Sequence, residues 1–309
     1  MSDSKVILHS YPASPFGKKV EWVLNYKKIP YSFVTIPMIA GRPLRAPLDG
    51  GYRKTPILQI GSDIYCDTHC IVRELEKRYP TPTLFPKTQS GSDITGIAWM
   101  MTAWSDTQLF SSVAGQIDFS KFPKEFLKDR EAYRGGKVNP KFVEVDKDRI
   151  RAQLAWLEQQ LTGKKWLLDT TEVSWADFNA AMPIWFMTTL KLKFLHEFPA
   201  VTKWFQGFMS IIPKTKYVKM TAEEALEIAK NTPIVIKQST DNNEPNGLKP
   251  GDEVTVTPWD TGRVPVAGEI VSSCINCVTL RRKDTETGIE TLIHFPRSAV
   301  HVVKTVSKL

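Results

Sequence analysis

A serine stands where a helix should begin. Ser10-Tyr11-Pro12-Ala13-Ser14-Pro15-Phe16 follows the apolar run Val6-Ile7-Leu8, and Phe16, Val20, Val23 and Leu24 then recur at the helical period. Ser14 suits the N-cap and Pro15 the first helical position, where its missing N–H costs nothing. Gly17 at N3 completes no capping box. Two roles are therefore open to the Ser14 hydroxyl: capping the helix, or turning toward an anion at the helix's positive end. Two other stretches carry residues fit for binding. In Lys54-Thr55-Pro56-Ile57-Leu58, spacing alone reads Pro56 as a trans strand-opening proline. In Tyr65-Cys66-Asp67-Thr68, Asp67 or Thr68 can cap the helix marked by Ile71, Val72 and Leu75.

The elements that must position these residues follow from periodicity. In residues 1–86 a strand, a helix and a second strand at 32–36 precede a hairpin, 56–60 and 64–66, and a helix ending near Pro80. That order predicts a sheet with helices on its faces. Residues 92–215 read as an all-α bundle: Trp99, Met100, Ala103 and Trp104 mark one helix, and Ile150, Leu154, Leu157 and Leu161 another. Between them, 118–140 is polar and broken by Pro123, Gly135 and Gly136, which predicts a loop with at most one short helix. Residues 216–309 open with the capping box Thr221-Ala222-Glu223-Glu224 and then turn to β. Strands are expected near 253–257, 268–272, 277–281, 290–295 and 300–305, and a small closed barrel would remove their exposed edges.

Composition bounds the function. At 309 residues, 42% hydrophobic, the chain can bury more than one core. No apolar run approaches the roughly 20 residues that span a bilayer, and Met1-Ser2-Asp3-Ser4-Lys5 lacks the order of a signal peptide, so cytoplasmic residence is expected. Cys66, Cys70, Cys274 and Cys277 are too few for a disulfide scaffold and fit a reducing compartment. Cys274-Ile275-Asn276-Cys277 has no second ligand pair at zinc spacing, so no metal is expected and the cysteines read as reduced residues packed in a strand pair. The formal net charge of +8 is spread along the chain, favouring anionic ligands without pointing to nucleic acid. Arg281-Arg282-Lys283 reads as a solvated turn.

With these motifs in order, residues 5–213 resemble the glutathione transferase superfamily. Ser14-Pro15-Phe16 sits where omega-like members carry Cys-Pro-Phe, which makes this chain similar to a serine-type relative. Ser174-Trp175-Ala176-Asp177, a capping box for a core helix, and Phe198-Pro199-Ala200-Val201 extend the likeness. The resemblance implies a thioredoxin-like α/β domain and an all-α domain, followed here by a small all-β, SH3-like barrel and suggestive of the extended transferase-like proteins of fungi. It implies that Ser14, beside Phe16, faces the glutathione sulfur, and that a cis bond before Pro56 presents the Thr55 backbone to the cysteinyl residue. Asp67 and Thr68 would hold the γ-glutamyl ammonium and carboxylate, with Arg42, Arg53 or Lys54 at the glycyl carboxylate. A free thiol has a pKa of about 8.5, so lowering it by about two units takes roughly 3 kcal/mol of differential interaction.

The function so implied is transfer: the glutathione thiolate attacks a hydrophobic electrophile lying against Met101, Trp104 and Phe110. Glutathione serves as cosubstrate, and a homodimer is expected. Rival readings are a glutathione-dependent ligand-binding protein without turnover, and a regulatory scaffold whose barrel recruits a partner.

Overall fold

The computed structural model describes residues 5–137, 139–214 and 216–305. β1 (Val6–Ser10), α1 (Pro15–Tyr26) and β2 (Tyr31–Thr35) form a βαβ start, with β1 and β2 parallel. After the short α2 (Ala46–Asp49), β3 (Ile57–Ile60) and β4 (Asp63–Cys66) make the expected hairpin, and α3 (Asp67–Arg78) follows. The helical region holds α4 (Thr95–Trp104), a π-helical turn (Ser105–Leu109), α5 (Phe110–Ala114), α6 (Lys124–Arg134), α7 (Lys141–Leu161), α8 (Trp175–Thr189) and α9 (Pro199–Ile211). Its main core buries Ile150, Leu154, Leu157, Phe178 and Phe208, and Lys19 of α1 reaches into it. Among the described residues no helix is long and apolar enough to cross a membrane.

The sequence reading needs correction in places. The polar stretch 118–140 contains an eleven-residue helix, α6, ended by Gly135 in the left-handed conformation. Its polar sequence is explained by its position, since no α6 residue is buried. Met100 does not share a face with the core; it is 64% exposed, while Ala98 and Thr102 point inward.

The last hundred residues do not stand apart. β5 (Val218–Met220) returns to pair with β2, and α10 (Ala222–Asn231) starts at the anticipated Thr221–Glu224 capping box. After the two-residue β6 (Ser239–Thr240) come β7 (Glu253–Pro258), β8 (Val266–Ser273), β9 (Cys277–Lys283), β10 (Glu290–Pro296) and β11 (Val300–Lys304). They pair in the order β11-β7-β8-β9-β10, with a 3₁₀ turn (Arg297–Ala299) before β11. The set does not close on itself among the described residues; β10 instead pairs in parallel with β4. An eleven-stranded sheet results, running from β11 to β5. Edge protection is thus achieved by addition to the first sheet rather than by closure. The second core is correspondingly mixed, with Leu48, Tyr52, Ile57 and Ile64 packed among Val254, Ile270, Leu280 and Phe295. Arg281 and Arg282 lie in β9, not in a turn, and meet Glu290 at 2.5 Å and Asp284 at 3.2 Å.

One buried polar chain crosses this sheet. Gln59 donates to the carbonyls of Ala225 (2.8 Å) and Gly61 (3.0 Å), so its oxygen faces His9, whose Nε2–H donates to it at 2.8 Å. His9 is 1% exposed, and burial lowers its pKa from 6.5 to about 4, with the Gln59 bond opposing and Arg45 assisting. Below pH 6.5 the unfolded chain takes up a proton that the native state refuses. Stability from this site is therefore complete above 6.5 and is lost as pH falls toward 4, by roughly 3 kcal/mol in all. Urea unfolding at pH values across that window is expected to show the decline, and His9→Gln is expected to flatten it.

Candidate functional site

Strand register brings the three candidate motifs together. His9 lies opposite Ile57, and Ile57 opposite Cys66. The segments that continue from these positions, Ser10–Ser14, Thr55–Pro56 and Asp67–Thr68, therefore sit at one end of three adjacent strands. Ser14 caps α1, its Oγ accepting the Gly17 N–H at 3.1 Å, and is 2% exposed. A Cβ at Gly17 would lie 2.0 Å from Ser10 Oγ, so that hydroxyl sits where only glycine leaves room for it. The Thr55–Pro56 bond is cis. Among the described residues no backbone partner engages the Thr55 N–H or C=O, so both are available to an added strand. Asp67 has φ +71°, and its carboxylate accepts the His69 N–H at 3.0 Å. Asp67 caps α3 as anticipated: its side chain, not that of Cys66 before it, makes the capping bond to the start of the helix. Thr68 is buried, and its hydroxyl bonds to no described residue.

Electrostatics converges on the same place. Burial works to raise the Asp67 pKa, yet His69, Lys54 and Lys19 hold it below the ordinary carboxylate value. The three candidate cations are all engaged. Arg42 donates to the carbonyls of Pro37 (3.0 Å) and Arg53 (3.0 Å) and to Thr55 Oγ1 (3.1 Å), so it staples the strand entry instead of facing outward. Arg53 pairs with Asp129 of α6 at 2.6 Å. Lys54 pairs at 2.5 Å with Asp260, in the β7–β8 loop. Gly262 of that loop donates to the Tyr133 carbonyl of α6 at 2.8 Å, so helix and loop together cover the Arg53–Lys54 segment.

On the far side, Phe16 meets Phe110 edge-on with ring centroids 4.8 Å apart, and Phe110 meets Phe186 at 5.8 Å. Met101, Trp104 and Phe110 are all half-buried against the main core. Sequence reasoning missed the group beneath them. Lys19 is fully buried, donates to both Asp106 carboxylate oxygens at 2.7 and 2.8 Å and to Asn179 at 2.8 Å, and lies over the Phe16 and Trp175 rings. The only local signal was a lysine inside an apolar helix stripe.

Residues 8–83 match the family described as Glutathione S-transferase, N-terminal domain, and residues 120–211 that described as Glutathione S-transferase, C-terminal domain. The crystal structure of a GST-like protein from Pseudomonas syringae superposes with a TM-score of 0.78 at 31% identity, covering 98% of this chain and 100% of that one. The chain belongs to the glutathione transferase superfamily. Glutathione S-transferase U2 of Arabidopsis thaliana is 22% identical over 244 residues, 74% of this chain and 98% of its own length. A glutathione S-transferase from Methylobacillus flagellatus KT, solved with glutathione bound, shares the fold at 18% identity and TM-score 0.52 over 68% of this chain and 100% of that one. The Pseudomonas likeness runs through the β extension, so this transferase-family architecture includes the added strands in a bacterial protein as well.

Proposed function

We propose that this chain is a glutathione transferase that binds glutathione across the Ser14, Thr55 and Asp67–Thr68 cleft and delivers its thiolate to a hydrophobic electrophile. The observation that carries the reading is the shared strand end. A capped helix start, a Thr55 backbone without a partner among the described residues and an acid-threonine turn continue from adjacent strands there. Thr55 pairs with the cysteinyl backbone as an added strand. Thr68 and the first N–H groups of α3 receive the γ-glutamyl carboxylate, and Asp67, ionised, receives the ammonium. Ser14 donates to the sulfur in place of capping only, and with the α1 N-terminus stabilises the thiolate. The electrophile lies on the Phe16–Phe110 side, near Met101 and Trp104. The five strands of the extension, with their 3₁₀ turn before the last, are read as an SH3-like unit fused to the sheet edge. Cytoplasmic residence and a twofold dimer complete the reading; the four unbonded cysteines fit a reducing compartment.

Conjugation of an aryl halide to glutathione by the full chain, with product measured at neutral pH, tests the activity; absence of product above the uncatalysed rate would remove it. The glycyl carboxylate is assigned to Lys54, which then shares its charge with Asp260. Asp260→Asn frees that ammonium and is expected to tighten glutathione binding by about threefold to tenfold, a typical gain of roughly 1 kcal/mol for a partly buried ion pair. Calorimetry reads the change; unaltered affinity would place the glycyl carboxylate elsewhere.

A further inference from the structure

Where α3 meets the extension, four chemically capable side chains face one cavity of about 580 Å³ that the transferase site does not use. Cys277, at the start of β9, has its Sγ 3.9 Å from Sγ of Cys70 on α3, although 207 positions separate them. His294 of β10 stacks on Tyr65 with centroids 4.4 Å apart. It spans two acceptors, Nε2 lying 2.8 Å from Asp63 Oδ1 and Nδ1 2.9 Å from Thr279 Oγ1. Thr279 is two residues from Cys277 on one strand and directly opposite His294 on the next, so the three side chains share one face of the sheet. We propose that Cys277 and Cys70 form a dithiol centre that reduces small anionic disulfides, with Cys277 as nucleophile, Cys70 as resolving thiol and His294–Asp63 as the pair that holds Cys277 in its reactive form.

The steps balance without any further oxidant. The Cys277 thiolate attacks one sulfur of R–S–S–R′, forming Cys277–S–S–R and expelling R′–S⁻. Cys70 then attacks Cys277 Sγ, the second thiolate R–S⁻ leaves and takes up the Cys70 proton, and a Cys70–Cys277 disulfide remains. The substrate is reduced by two electrons and the protein dithiol oxidised by two. A bond at about 2.05 Å requires the sulfurs to close from 3.9 Å.

Charge supports the division of labour. Burial opposes a proton on His294, yet the bonds to Asp63 and Cys277 hold its pKa up, to about 9. The Cys277 thiol is pulled well down, first by the hydrogen bond from Cys70, against burial, and then by His294 and Thr279. Cys70 itself is pushed up by burial, with Cys277, Asp67 and Cys66 adding to the shift. Of the charged groups lining the cavity, Asp63 is met by His294 and Glu74 by Arg78. Arg73, Lys77 and Lys237 have no acidic partner among the described residues and make the cavity cationic, hence the anionic substrate.

The reduced full chain, mixed with excess 5,5′-dithiobis(2-nitrobenzoate) at about pH 6, where ordinary thiols are almost wholly protonated, provides the test. Two equivalents of thionitrobenzoate are expected to appear in a fast phase, and peptide mapping is expected to find Cys70 joined to Cys277. Cys70→Ser is expected to release one fast equivalent and keep Cys277 as the aryl mixed disulfide, and Cys277→Ser to abolish the fast phase. Bis(2-aminoethyl) disulfide, cationic, is expected to react at least about tenfold more slowly relative to its rate with free cysteine. The parent chain alone decides the matter if a variant fails to fold. A fast phase no quicker than that of N-acetylcysteine, or a Cys274–Cys277 linkage in the mapped product, would overturn the proposal. Equal relative rates for the two disulfides would overturn its anionic substrate class.

Discussion

Asp177→Ala is expected to destabilise the chain by about 3–5 kcal/mol, as much as truncating a buried aromatic of the helical core. The carboxylate is fully buried and accepts four hydrogen bonds. Oδ1 takes the Leu167 N–H at 2.9 Å and the Trp204 indole N–H at 2.8 Å, and Oδ2 takes the Ser174 N–H at 2.9 Å and hydroxyl at 2.7 Å. Burial pushes its pKa up, and these donors oppose the shift. Alanine would leave all four donors buried and unpaired, at the start of α8 and at the seam with α9. Asp177→Asn keeps the shape and one acceptor oxygen, and is expected to lose about half as much. Urea unfolding followed by tryptophan fluorescence measures both; a loss under about 1 kcal/mol for alanine would show that α8 does not depend on this box.

Ser14→Ala is expected to slow conjugation at neutral pH by about tenfold to twenty-fivefold while leaving glutathione affinity within about threefold of the parent. The hydroxyl has two separable duties. As a cap, Ser14 accepts the Gly17 N–H, and losing that bond costs about 1 kcal/mol of stability. As a donor to sulfur, it supplies with the α1 N-terminus a lowering of the thiol pKa by about two units, and without it the bound thiol moves back toward about 8.5. The γ-glutamyl and cysteinyl backbone contacts lie on Asp67, Thr68 and Thr55, which the change does not touch. The pH profile of the initial rate should therefore move to higher pH in the variant. Equal rates in variant and parent, with only the stability loss, would reduce Ser14 to a cap.

What could be read from the sequence was local chemistry. Both capping boxes, Ser174–Asp177 and Thr221–Glu224, form as read, because the partners are three residues apart and their bonds follow from helix geometry. Ser14 was legible for the same reason, and the hairpin at Gly61 put Asp67, at the end of β4, beside Thr55 at the entry to β3. Long-range pairings were not legible. Lys19 finds Asp106 across 87 positions and Lys54 finds Asp260 across 206, and nothing in either segment marks its partner. The sheet extension fails to show for a related reason: nothing within β10 marks its partner, and which edge it joins depends on the Leu48, Tyr52 and Ile64 surface beside β4. Arg42 looked like a ligand cation because composition cannot distinguish a solvated guanidinium from one spent on the Pro37 and Arg53 carbonyls.

We infer that one cleft at the end of β1, β3 and β4 holds glutathione. Calorimetric titration of the full chain with glutathione, set beside the double variant Asp67→Ala/Thr68→Ala, tests it most directly. Saturable binding at one site per chain, weakened at least about tenfold in the variant, is the expected result, since the γ-glutamyl end would lose its ammonium partner and its hydroxyl together. Absence of saturable binding to the parent, or equal affinity in parent and variant, would contradict the account.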